Sequence, residues 1–293
     1  MFKLKNQDFS NNNVLHRNRK APRTHFYPFG DVESALTTCV KNSNCIINLN
    51  GEWMFKWFDS PFKVDESVIN KIEGFDNIVV PINWQYAGYG KNVYTDLWYP
   101  FPMDPPYIPA ENETGVYKKK INVTKDMMTN LSIRFEGVES AYHVYINDQM
   151  VGYSQGSRLP AEFDITNYVH IGENEICVVV YQYCDGTYLE DQDMWWLGGI
   201  IRDVYLICRP NIYLENVILD PDYDIVNHRG ILNAYVSLIG DGSVDIEVYK
   251  SDSLLTSFKN VILNQNTKLY IDDIRPWTAE TPNLYKIIAV VKD

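Results

Sequence analysis

Residues 141–154, AYHVYINDQMVGYS, read as two short strands joined at Asn147–Asp148. β-branched and aromatic residues dominate both halves, in runs of strand rather than helix length. Asn and Asp tolerate positive φ, which a tight hairpin turn requires. The same texture spreads outward through residues 46–49, 53–58, 115–123, 131–135 and 175–181, each bounded by Gly, Pro, Asn or Asp. No stretch has the period of a long amphipathic helix. The expected fold class is all-β.

Beyond this body the texture changes on both sides. Residues 1–45 are polar, with an Asn run at 11–13, and only 34–40 suggests a short helix. This segment reads as an arm that takes its order from the body. Arg209–Pro210 follows the strand-like VYLIC and marks a domain exit. Strand-like runs at 212–219, 230–239, 244–249 and 284–291 then fill about 80 residues, a size that suits an immunoglobulin-like sandwich. The expected organisation is an arm over 1–45, a β-sandwich over 46–210 and a second sandwich over 211–293. Residues 81–109 are rich in proline and aromatics, and proline removes ladder donors, so an ordered loop is expected there. Such loops on a β scaffold often carry binding.

The 293 residues are 45% hydrophobic and carry a formal charge of −12. The apolar content supports real cores, and the acidic balance argues against nucleic acid or an anionic membrane as partner. No apolar run approaches the ~18 residues of a membrane span, and the first residues lack the apolar core of a secretory signal. The five cysteines (Cys39, Cys45, Cys177, Cys184, Cys208) have no metal-like spacing. Free thiols in a cytoplasmic protein are the expectation. Sequons at Asn112, Asn122 and Asn130 then read as chance matches.

The densest polar and aromatic stretch is 185–203, DGTYLEDQDMWWLGGIIRD. Carboxylates accept hydrogen bonds from sugar hydroxyls, and aromatic faces stack on the apolar faces of sugar rings, so Glu190, Asp191, Asp193, Trp195 and Trp196 make a candidate carbohydrate or hard-cation site. A solvated acidic loop beside packed tryptophans is the plain alternative. Glu190 and Asp193 are neighbours on one loop and do not display the opposition that a glycosidase carboxylate pair needs. The five histidines lack metal-ligand spacing, and neither a GxSxG elbow nor a phosphate loop occurs. Gly198–Gly199 reads as a place of close backbone packing or a tight turn rather than of phosphate binding. No catalytic set is expected within this chain.

Several motifs in order carry a resemblance. LNGEWMFKWF (49–58), VPINWQYAGYGKNVYTD (80–96), PPYIPAENETGVY (105–117), the stretch 133–166, the stretch 186–204 and PWTAETPNLY (276–285) resemble the N-terminal region of β-galactosidases of glycoside hydrolase family 2. The resemblance covers almost the whole chain from about Asp8. It implies a galactose-binding-like jelly roll followed by an immunoglobulin-like domain that stops one strand early. It also implies a catalytic (β/α)₈ barrel that would follow, and that barrel is the missing partner of this chain.

What the resemblance implies for single residues follows the motifs. In EDQDMW the second aspartate, Asp193, is implied to contact the galactosyl group and to help hold sodium. The loop that reads YTN in the family reads Tyr94–Thr95–Asp96 here, so Asp96 takes the place of a sugar-contacting asparagine. An amide donates and accepts, whereas a carboxylate only accepts. A magnesium site is implied at Asp8, Asn11, the backbone of Val14, Gln155 and Asp185, all oxygen donors as a hard cation requires. The expected parent is a homo-oligomeric retaining enzyme hydrolysing terminal β-D-galactosyl bonds, with this chain its non-catalytic portion, inactive alone. The alternative is a stand-alone carbohydrate-binding or structural sandwich.

Overall fold

The computed structural model describes residues 7–71 and 73–293. The fold is all-β, as the strand texture predicts, and divides into two compact units. One combines Met1–Ala21 with Ile47–Cys208, and the other combines Pro22–Ile46 with Arg209–Asp293. The polar N-terminal segment is therefore shared between them. Its first part docks by the Lys20 amide donating to Glu162 O at 2.8 Å. Its second part begins where the amide and hydroxyl of Thr24 donate to Asn216 Oδ1, at 3.0 and 2.8 Å.

The first unit is a jelly-roll-type sandwich. Its larger sheet runs in the order His16–Arg17, Gln149–Gln155, Ala141–Ile146, Gly172–Tyr181, Thr114–Val123, Gly51–Phe58, Asp76–Val80. The smaller runs Ala161–Asp164, Asn130–Phe135, Val204–Arg209, Ile46–Asn48. The hairpin at Asn147–Asp148 forms as expected, with φ of +48° and +66° at the two turn residues.

Gly172–Tyr181 shows why residues 176–181 are apolar without a gap. Ile176, Val178 and Val180 face the core between the sheets, with Phe55, Trp84, Ile133 and Phe163. Cys177, Val179 and Tyr181 face the other side, where Phe9, Val64 and Ile69 cover them. Both faces of the strand are dry, so every side chain must be apolar or have a partner. Lys118 obeys this rule from the neighbouring strand: fully buried, its Nζ donates to Ile69 O and pairs with Glu175 Oε1 at 2.7 Å. The arm contributes Phe9, whose ring lies 4.4 Å from that of Tyr181. Burying such a side chain is worth about 1.5–3 kcal/mol, enough to order a short segment without helical period.

The second unit is an immunoglobulin-like sandwich of two three-stranded sheets. One holds Tyr213–Asp224, Arg229–Ile239 and Thr267–Ile271; the other holds Ser253–Phe258, Ser243–Lys250 and Lys286–Lys292. The first strand runs past the expected stop near 219 and carries Pro221 opposite Leu232. It lies at the sheet edge, where a missing N–H costs no ladder bond. A short helix, Val32–Leu36, is capped by Asp31, which accepts from the Ser34 amide at 2.7 Å. Lys286 Nζ donates to its last carbonyl, Leu36 O, at 2.6 Å.

Asp245 is fully buried in this unit, and both its oxygens are engaged. Oδ1 accepts from the Asn260 amide at 2.9 Å, and Oδ2 pairs with Lys259 at 3.0 Å and with Lys292. Burial alone would raise its pKa, but Lys292, the Asn260 N–H and Lys259 outweigh that and bring it down to about 2. A depressed carboxylate stabilises the fold above its unfolded pKa, roughly 3.9, and that stability disappears as pH falls through the folded value. Resistance of the second unit to denaturation should therefore weaken as pH falls from about 4 to about 2. Asp245→Ala should cost about 1–3 kcal/mol at neutral pH, because the Asn260 N–H loses its partner. A flat acid profile or an unmoved denaturation midpoint would remove Asp245 from this role.

Candidate functional site

The loop expected over residues 81–109 is ordered, and it is laced to the stretch 185–200. Ile82 N donates to Ile200 O at 2.9 Å and Trp84 N to Gly198 O at 3.1 Å. Trp84 is fully buried, its Nε1 donating to Glu113 Oε2 at 2.9 Å. A Cβ at Gly198 would sit 2.3 Å from the Trp84 ring, and one at Gly199 would sit 2.6 Å from Ile82 O. The paired glycines thus serve close packing, as their sequence suggests. Beyond them Tyr99, Phe101, Tyr183, Tyr188 and Trp196 form an aromatic cluster with ring separations of 4.9–6.1 Å. Beneath it Asn112, with no exposed surface, donates to Tyr183 O at 2.9 Å and accepts from Tyr183 N at 2.8 Å.

This lacing brings two sequence-predicted residues to one place. Val93–Tyr94 pairs antiparallel with Trp195–Trp196, in the register Tyr94↔Trp195. The Tyr94 hydroxyl donates to Asp193 Oδ1, its ring lies 5.5 Å from that of Trp195, and Trp196 Nε1 donates to Thr95 Oγ1 at 2.7 Å. The bond to Asp193 is the main reason the Tyr94 phenol is pushed up to about 12, and the Asp96 charge adds to it. Asp193 holds the Tyr94 hydroxyl directly, and exposed Asp96 follows two residues on. Tyr94 and Trp195 are about half exposed, whereas Trp196 is buried, so the tryptophan pair divides between surface and core. The surface unites carboxylates that accept from hydroxyls with an open ring face for an apolar patch.

Of the neighbouring acids, Glu190 and Glu139 are committed, whereas Asp191 keeps a buried oxygen without a hydrogen-bond partner among the described residues. Glu190 accepts from the Ser157 amide at 3.0 Å and from the Ser157 hydroxyl at 2.5 Å. Glu139 pairs with Arg158 at 2.5 Å and accepts from Asn83 at 3.2 Å; burial raises its pKa against the pull of Arg158. Arg158 also reaches Met194 Sδ at 3.2 Å, and Gln182 donates to Trp196 O at 3.0 Å. These two carboxylates hold the loop. Tyr94, Ser157, Arg158 and Gln182 were not singled out from sequence; their roles depend on partners up to 99 residues away.

The second predicted set lies on the arm side of the same sandwich. Asp185, mostly buried, accepts at Oδ1 from Gln155 Nε2 at 2.9 Å, while its Oδ2 makes no hydrogen bond among the described residues. Burial raises its pKa against the Gln155 amide and the nearby N–H groups of Gly186 and Asn11. Val14 N donates to Asn11 O at 2.8 Å, closing the turn that carries Asn11 past Asp185. Asp8 is buried but engaged: Arg17 donates to both its oxygens, at 2.7 and 2.8 Å, and His143 Nε2 lies 3.1 Å from Oδ2. Among the described residues no group of three or more His, Cys, Asp or Glu side chains gathers as a metal cage. Asp185 keeps a buried oxygen without a partner among the described residues, but Gln155 turns its N–H to Asp185 while its Oε1 accepts from Tyr153. Asn11 Oδ1 accepts from the Asn13 amide and both Asp8 oxygens are engaged, so these oxygens as arranged do not converge on a hard cation. Asp193 by contrast supplies one exposed carboxylate.

Two consequences are measurable. Asp193→Asn should bring the Tyr94 phenol back toward about 10, followed by carbon-13 tyrosine NMR across a pH titration. A Tyr94 resonance that titrates unchanged would break the pair. Gly198→Ala should cost about 1–3 kcal/mol through overpacking against Trp84, seen as a lower denaturation midpoint.

Residues 46–210 match the family model described as "Glycosyl hydrolases family 2, sugar binding domain". A β-galactosidase of Vibrio vulnificus (strain YJ016) is 39% identical over 267 residues, covering 84% of this chain and 26% of that protein. A β-galactosidase of Alteromonas mediterranea is 37% identical over 310 residues, covering 98% of this chain and 29% of that protein. The chain thus spans little more than a quarter of the length of these curated relatives. Among solved structures, a β-glucuronidase from an uncultured Clostridium is similar with a TM-score of 0.59 at 18% identity, over 84% of this chain and 42% of the other. The apo β-glucuronidase of Ruminococcus gnavus is similar with a TM-score of 0.62 at 16% identity, over 85% and 42%. At such identity these two speak for the fold. With more than half of its residues under the family match, the chain belongs to glycosyl hydrolases family 2.

Proposed function

We propose that this chain is the sugar-facing, non-catalytic part of a retaining β-galactosidase that hydrolyses terminal β-D-galactosyl residues. The observation that carries the reading is the meeting of Asp193, Tyr94 and Trp195 on one ribbon between two loops, with Asp96 two residues beyond Tyr94. The identity to β-galactosidases along most of the chain supports the galactosyl preference. Asp193 and Asp96 accept from sugar hydroxyls, Trp195 offers its ring face, and Tyr94 fixes the orientation of Asp193. A carboxylate at position 96 accepts only, so a hydroxyl facing it must donate.

The chain spans little more than a quarter of its curated relatives' length, which supports assigning bond cleavage to a barrel of the same polypeptide. Asp193 would contribute one oxygen to sodium, with the barrel supplying others. The family resemblance supports magnesium among Asp185, Gln155, Asn11, Asp8 and the backbone of Val14, which would require the Gln155 amide and Asp8 to change partners. The proposed setting is a cytoplasmic homo-oligomer. Among the described residues no helix is long and apolar enough to cross a membrane.

The purified 293-residue chain should release no chromophore from a chromogenic β-galactoside and bind galactose barely. Tight galactose binding would favour an autonomous carbohydrate-binding module, and turnover would overturn the division of labour. In a protein that includes the barrel, Asp193→Asn should lower kcat/KM roughly ten- to a hundredfold, the worth of a hydrogen bond to a charged group.

A further inference from the structure

Glu113 stands at the root of Thr114–Val123, an interior strand of the larger sheet, and its carbonyl accepts from the Gln182 amide at 2.9 Å. Its backbone is thus fixed from the sheet, while its carboxylate reaches into the loop over 81–109. Three N–H groups of that loop converge on it. Oε2 accepts from Trp84 Nε1 at 2.9 Å and from Gln85 Nε2 at 3.3 Å, and Oε1 accepts from the Lys91 amide at 2.9 Å. The chain passes so close that a Cβ at Gly90, where φ is +65°, would fall 1.9 Å from Oε2.

These contacts lead to both sides of the ribbon. Lys91 lies two residues before Val93–Tyr94, so its amide sets where that strand begins. On the other side lies Gly198, two residues after Trp195–Trp196. Its amide donates to Oε1 of buried Gln85 at 3.2 Å, and its carbonyl accepts from Trp84 N. Gln85 therefore relays Glu113 to Gly198, with one end of its amide on each. A carboxylate can serve all three donors because both its oxygens carry only lone pairs, and bonds to a charged acceptor are the stronger kind.

We propose that Glu113 is a positioning residue of the sugar surface: one carboxylate that holds both roots of the Tyr94–Trp195 ribbon and so fixes where Asp193 stands. This rests on the sugar-binding reading given above and adds to it a residue that acts through Trp84, Gln85 and Lys91 rather than on the sugar. An amide at position 113 has the same shape but offers one oxygen, and it turns an NH₂ toward at least one of the three donors. The root that loses its bond is free to slide, and the Tyr94 hydroxyl loses its place on Asp193. A displacement of about 1 Å is enough to cost roughly a hundredfold where geometry is positioned for reaction.

The test is Glu113→Gln in the 293-residue chain, followed by carbon-13 tyrosine NMR across a pH titration and by denaturation. The Tyr94 phenol should come down from about 12 toward the ordinary tyrosine value. Gln85→Met, which cuts the relay to Gly198 alone, should move it in the same direction and serves if the first variant does not fold. A lowered denaturation midpoint with an unmoved Tyr94 titration in both variants is the signature of a merely structural role and overturns the proposal. In a protein that includes the barrel, Glu113→Gln should lower kcat/KM roughly ten- to a hundredfold, and the double variant should do no worse than Asp193→Asn alone. If Asp193→Asn lowers kcat/KM and Glu113→Gln does not, the proposal fails and the sugar reading stands. If neither lowers it, the sugar reading falls, and the proposal falls with it.

Discussion

Trp84 is wholly withdrawn from solvent, and its indole fills the space that any side chain at position 198 would need. That one interlock joins two loops more than a hundred residues apart in sequence. The ladder bonds from Ile82 and Trp84 to Ile200 and Gly198 follow from it, and so does the ribbon that sets Tyr94 against Trp195. Every polar group of the candidate sugar surface is thus positioned by a contact that is itself apolar. Close packing tolerates little displacement, so a loop held this way behaves as part of the scaffold.

The larger sheet supplies the second constraint. Its central strand is covered on both faces, which requires material outside the sandwich proper. The arm and the segment around Val64 and Ile69 provide it. Polar groups drawn under that cover, among them Lys118, His143 and Asp8, persist because each finds a partner there. The candidate cation cluster is thus a by-product of roofing a sheet: the residues that pin the roof are charged and buried together.

Much of this was legible in the sequence. Short aromatic and β-branched runs specify strands, and Asn147–Asp148 specifies a turn, because both depend on local period and local φ. The strands Ser253–Phe258 and Thr267–Ile271 are not among the expected runs, and the first lacks alternation. The stretch around Asp193 stood out by composition, but its pairing with Tyr94 did not, since no local pattern encodes a partner 99 residues away. Arg17 was hidden for a different reason. It lies in a segment without period, and its meaning comes only from the sheet edge to which that segment adds.

Asn112 opens an Asn-Glu-Thr sequon, and its amide is spent on both backbone groups of Tyr183 in a position without solvent access. A glycan on that nitrogen would take the donor from Tyr183 O and would need a volume that the aromatic cluster already fills. Attachment could precede folding but not follow it, and the modified chain would be unable to close the loop beneath Tyr188 and Trp196. In a cell that exported this chain through a glycosylating compartment, oligosaccharide transfer and acquisition of this fold would be mutually exclusive fates at one side chain.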